Sequence, residues 1–168
     1  MNGHGAAAQA VNNPNQNGMG AMANSENMDA TFLKEAAAAN LAEISEAQLV
    51  LSKTSNDGVK QFAQKMIDDH TAMQKDVKAV AASLNVKLPT EPMKSDRVQA
   101  DKLKALDGAA FDKAYVNAQV KDHKKVLAKM KAENASTQNP QLKDLTTKGS
   151  AKVAEHLKMA EDLQSKLG

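Results

Sequence analysis

The sequence has no cysteine, which excludes disulfides, thiolate metal sites and cysteine nucleophiles. Aromatic residues make up only 2% of it, so nothing is placed to stack on nucleobases. Among its 22 cationic side chains the one arginine is Arg97, which leaves almost nothing for bidentate recognition of phosphate or base edges. The formal charge is +2, and both signs are interleaved at short spacing as on a solvated surface. The run of Lys121, Lys124, Lys125, Lys129 and Lys131 fits that description, and no nucleic acid partner is expected. Apolar runs fall far short of the length that spans a bilayer, so no transmembrane segment is expected. No residue carries the local signature of an activated nucleophile, and there is no glycine-rich phosphate loop.

What is present is aliphatic and rich in helix formers. Apolar residues reach 42%, mostly Ala, Leu, Val, Met and Ile, and 168 residues suffice for one domain with a real core. After residue 29, glycine and proline are few and punctuate periodic segments. The fold class read from this is all-α.

Residues 1–28, rich in Asn, Gly, Gln and Ala without apolar period, read as a disordered tail before a bundle domain over 29–168. Ala8-Gln9-Ala10 has the small-x-small form of a signal-peptidase site, yet no charged and apolar regions precede it. If Met1 is removed, the free amine and His4 would form an amino-terminal copper or nickel clip; a lone tail histidine is the simpler reading. A first helix is predicted from about Asp29 to Lys53, with Leu33, Ala37, Leu41, Ile44, Ala47 and Leu51 on its apolar side and Glu43 bordering it. Ser55, Asn56 and Asp57 are turn and capping types before a second helix that reaches about Asn85. Pro89 and Pro92 break the pattern, and Val98, Leu103 and Leu106 indicate a short helix in the linker. A third long helix is predicted over about 109–134, and a fourth from Asn139-Pro140 almost to Leu167. Four long amphipathic helices with one longer central connection make a four-helix bundle.

Two of these helices carry unbroken seams. Val59, Ala63, Met66, His70, Met73, Val77, Val80 and Leu84 follow one another by steps of three and four, as do Leu142, Thr146, Gly149, Val153, His156, Ala160, Leu163 and Leu167. Each seam includes one histidine. His123 falls among the apolar residues of the third long helix.

Phe62-Ala63-x-x-Met66-x-x-Asp69-His70, Gly108-Ala109-Ala110-Phe111-Asp112-x-Ala114-Tyr115, Lys121-Asp122-His123 and Glu155-His156-Leu157-x-Met159-Ala160 together resemble the bacterial family catalogued as domain of unknown function 4142. The resemblance covers about residues 30–167. It implies a ferritin-like fold and an envelope location, periplasmic or extracellular, and brings no established reaction.

Ferritin-like di-iron sites use Glu-x-x-His, because residues three apart on a helix face the same way. Here the positions three before His70, His123 and His156 are Ile67, Val120 and Val153, so the usual ferroxidase is not expected and the sequence leans away from an enzyme. The acidic residue instead immediately precedes each histidine, as Asp69, Asp122 and Glu155, and would flank the seam rather than share its centre. Met66, Met73, Met130 and Met159 are soft enough for copper, although methionine at seam spacing is ordinarily core filler.

By depth along their helices, Glu43, His70, His123 and His156 are predicted to meet in one layer at mid-bundle. One reading is a hydrogen-bonded polar layer in a non-catalytic structural or binding protein, with Asp69, Asp122 and Glu155 as outer partners. The other is a site for a single transition-metal ion, zinc-like or copper, on the three imidazoles and Glu43. The alanine-rich sides of the first helix leave a homo-oligomer open.

Overall fold

The computed structural model describes residues 14–168, and every regular element among them is a helix. These are α1 (Pro14–Lys53), α2 (Asp57–Ser83), α3 (Lys94–Lys104), α4 (Gly108–Ser136) and α5 (Pro140–Leu167). None is long and apolar enough to cross a membrane. Asn56 caps α2 by accepting from the backbone N–H of Val59, and Asn139 caps α5 by accepting from those of Gln141 and Leu142, with Pro140 at the first turn. The chain leaves α2 through Asn85 at φ 54°, a left-handed conformation that asparagine tolerates better than most residues.

α1 begins at Pro14, not near Asp29. Among its described side chains the first buried one is Asp29. The described side chains before it are exposed apart from the half-buried Ser25, and the helix extends through them because each residue added to an existing helix gains a hydrogen bond with no new nucleation cost. Residues 1–13, with the expected features at His4 and Ala8-Gln9-Ala10, lie outside the described residues.

Four end-to-end contacts fix the helix directions. Thr137, just past α4, donates from Oγ1 to Asp29 in the early part of α1 (2.9 Å), and Ser83 at the end of α2 donates to Gln141 at the start of α5 (2.7 Å). At the opposite end, Lys53 Nζ donates to the carbonyls of Lys104 and Leu106, and Lys113 Nζ to that of Gly168. Hence α1 and α5 run one way, α2 and α4 the other, and the 84–107 connection travels the length of the molecule. α1 packs on α2, α2 on α5, α5 on α4 and α4 on α1, so each neighbour is antiparallel. α3 lies on the surface across α1 and α4.

The expected anchors of α3 need correcting. Leu103 is buried, but Val98 is 46% exposed and Leu106 is also exposed, because α3 rides over the seam between two helices and buries one side chain in it. The interior forms two apolar clusters. One, toward the α3–α4 turn, gathers Val50, Val59, Phe62, Met66, Leu103, Phe111, Tyr115 and Val116; the other, at the opposite end, holds Leu33, Ala37, Val77, Ala81 and Leu142. Between them lies a polar layer.

Candidate metal centre

The layer arises from position along each helix. His70 is the midpoint of α2, His123 is one residue past that of α4, and His156 is within three residues of that of α5. All three are buried, and His156 is 0% exposed. Their ring centroids are 6.0 Å (His70 to His123), 5.3 Å (His70 to His156) and 5.5 Å (His123 to His156) apart. One nitrogen from each ring falls within 4.8 Å of the other two.

Each ring is held by its other nitrogen. His70 Nδ1 lies 2.9 Å from Asn40 Oδ1, and the Asn40 amide in turn donates to Gln74 Oε1 (3.1 Å). Nδ1 of His123 donates to the Gln119 carbonyl (3.0 Å), since a carbonyl oxygen can only accept. By the same reasoning, Nε2 of His156 donates to Asp69 Oδ2 (2.8 Å). These bonds place the lone pair on Nε2 of His70, Nε2 of His123 and Nδ1 of His156, and none of those atoms has a partner among the described residues. Three buried acceptors therefore come together with no donor between them among the described residues.

Burial keeps the rings neutral. It lowers His70 to about 3, helped by the charge His156 and His123 would carry, and lowers His123 to about 4, again with His156 contributing. His156 is lowered chiefly by burial, with Asp69 opposing. Burial alone would raise Asp69, but its hydrogen bonds with His156 and Lys65 outweigh that and hold it at about 2. The result is a neutral imidazole trio with one carboxylate behind it, the protonation state that metal ligation requires.

The other expected site residues lie around this trio. Glu43 is not one of the converging group. Its carboxylate accepts from Gln119 Nε2 (2.8 Å), and burial, then the neighbouring Glu46, pushes it up to about 8. Asp69 is the outer partner of His156, and Lys65 binds it at 2.9 Å. Glu155 reaches the centre through Lys65 (3.0 Å) and Lys152 (3.5 Å), both of which also bind Asp69. Asp122 points elsewhere: it accepts from Gln99 Nε2 of α3 (3.0 Å).

Sequence reasoning missed Asn40, Gln74, Gln119 and Glu46. Asn40 continues the line of Leu33 and Ala37 by steps of four and three, and a polar residue on that line carries the same signal as the histidines. Glu46 is buried and raised to about 7 by burial, with Asp122 and Asp96 adding to it. Its place beside Ala47 gave no such signal.

No curated protein and no solved structure matches the chain. The family described as "Domain of unknown function (DUF4142)" matches over residues 14–163 and takes in α1 to α4, most of α5 and the three converging histidines, and the chain belongs to that family.

Proposed function

We propose that this protein binds one transition-metal ion, of the zinc or copper type, on His70, His123 and His156. The observation that carries the reading is the trio of converging, unpartnered imidazole nitrogens, each fixed in its tautomer by an acceptor behind the ring. Tetrahedral coordination at ordinary metal–nitrogen lengths puts ligand nitrogens about 3.3 Å apart, so the rings need to close in by roughly an ångström at most. An ion would also relieve the burial of three unsatisfied acceptors, each costing about 1–3 kcal/mol. Glu43, bonded to Gln119 and outside the converging group, is not a necessary ligand.

The helix directions and the single long crossover agree with a ferritin-like bundle, and the missing Glu-x-x-His pairs argue for a mononuclear centre within it. The envelope location implied by the family resemblance completes the proposal. A second reading has its own support: Asn40 to His70 and Asp69 to His156 tie α1 to α2 and α2 to α5, as a register-fixing polar layer would.

Metal analysis of untagged protein separates the two. We expect close to one ion per chain, lost in His123→Ala, and a melting temperature that falls with a chelator. At a metal concentration one hundred times Kd, the bound ion adds about 2.7 kcal/mol to stability. Protein that retains no added metal and melts identically with and without chelator refutes the reading.

A further inference from the structure

The centre adjoins a cavity of about 720 Å³ between the helices. The rings of His70 and His123 form part of its wall, whereas His156 is enclosed by protein. An ion on three imidazoles takes at least one more ligand. Among the described residues no fourth histidine or carboxylate shares the converging group, and Asp69 and Glu43 are engaged with His156 and Gln119. The fourth position therefore belongs to whatever enters from the cavity side.

The cavity wall is largely apolar, with Ala36, Ala39, Met73, Val77, Val126 and Met130 among its residues. A Cβ built on Gly149 would meet Met130 Cε at 3.0 Å and Met73 Cε at 3.8 Å, so two thioethers converge over a glycine and give this wall an adaptable surface. Its volume is that of a small-molecule site. The charged groups on the wall narrow the head group: its carboxyl groups, Glu46, Asp96 and Asp122 among them, outnumber its lysines, Lys125, Lys129, Lys148 and Lys152, an excess that disfavours an anion, and the ion itself disfavours a cation.

We propose that this cavity receives a small organic molecule with an apolar body and a neutral nitrogen or oxygen donor, the donor completing the coordination of the ion held by His70, His123 and His156. This rests on the metal-binding reading above. The three histidines hold the ion, the cavity supplies affinity for the apolar body, and α3, with Met93 just before it, contributes Ser95, Asp96 and Gln99 to the wall.

The test uses the full, untagged chain loaded with Co²⁺, whose visible bands report the fourth ligand. 4-Phenylimidazole should change those bands with saturation at one per chain and bind at least tenfold more tightly than imidazole; benzoate should bind more weakly than either. Ala39→Trp, which fills the chamber, should remove the advantage of the phenyl group and leave cobalt stoichiometry unchanged. Because the comparison of probes needs only the native protein, misfolding of that variant does not blunt it. Stoichiometric cobalt whose spectrum answers to no probe means a closed site and overturns this inference while leaving the metal reading intact. Equal affinity for the two imidazoles, or tighter binding of benzoate, overturns it as well. Failure to bind cobalt removes both.

Discussion

A neutral imidazole buried without a donor for its second nitrogen and a carboxyl buried without a cation pull the pH dependence of stability in opposite directions, and this protein has both. The histidines are depressed, His70 to about 3 and His123 to about 4, so the unfolded chain takes up protons near its ordinary pKa of 6.5 while the folded chain does not. Their contribution is full above pH 6.5 and is lost as pH falls toward 4 and 3. Asp69, held at about 2, also favours the fold above its ordinary pKa and loses that contribution on acidification. Glu43 and Glu46 have the opposite sign: raised to about 8 and about 7, they keep protons that the unfolded chain releases near 4.5, so stability falls as pH rises from 4.5 to 8. Glu133, buried beside Asp29 and raised to about 7 by burial and by that neighbour, adds to the alkaline loss. Metal-free protein should therefore melt highest near pH 6 and lower at pH 8.5. The double variant Glu43→Gln, Glu46→Gln should flatten most of the decline between those values in thermal melts, leaving the part due to Glu133; an unchanged decline would mean that these carboxyls are solvated. Residue identity made the histidines legible in the sequence, because a titratable group on an otherwise apolar line stands out. Asn40 carried the same signal on the line of Leu33 and Ala37, whereas Glu46 did not, since on an alanine-rich helix a polar residue beside the seam looks like any surface residue.

Whole helices were legible to the extent that their apolar lines were unambiguous. The seams of α2 and α5 hold through Val59, Met66, Val77, Leu142, Val153 and Ala160, all buried, and the Asn139-Pro140 start of α5 is where the sequence places it. α1 was less readable. Its alanines make several faces nearly equivalent, and of the expected line Leu41, Ile44 and Leu51 are only partly buried, while Ala38, Asn40, Glu46 and Val50 are buried instead. No periodicity could show that α3 lies outside the core, since one buried leucine is too little pattern. At Gly149 the helix and the cavity pull against each other. Glycine inside α5 costs the helix roughly 1 kcal/mol relative to alanine. The added methyl would press on Met130 Cε and Sδ, at 3.0 and 3.2 Å, but these are the far end of a flexible side chain that borders a cavity and can yield into it. Gly149→Ala should therefore stabilise the protein, by up to about 1 kcal/mol or roughly 2–4 °C in Tm. A drop in Tm would show that Met130 is held in place by more than its packing.

At the scale of the molecule, two apolar clusters are separated by a layer that contributes polar atoms where carbon would pack. Such a layer either stabilises the fold or is kept at a cost to stability for what it binds, and His123 can decide which. Its Nε2 has no partner among the described residues, so removing it leaves none of them stranded there. Its Nδ1 bonds the Gln119 carbonyl, which lies four residues earlier on the same helix and keeps the ordinary backbone bond. Leucine is close to histidine in size and would join the apolar wall. His156 is unsuited to the same test, because its loss takes a hydrogen bond from Asp69. Without metal, and with a chelator present, His123→Leu is expected to have a urea midpoint equal to or above that of the native chain, with a gain of about 1 kcal/mol and at most about 3, the cost of one unsatisfied buried acceptor. With metal, the order should reverse, since only the native trio gains from the ion. The register-fixing reading predicts otherwise: the variant would lose stability in both conditions and its unfolding would broaden, because helices freed from the layer could pack in more than one register. A metal-free midpoint lower by the equivalent of more than about 2 kcal/mol, twice the net worth of an ordinary hydrogen bond, would establish the layer as structural and leave the metal without a reason to be there.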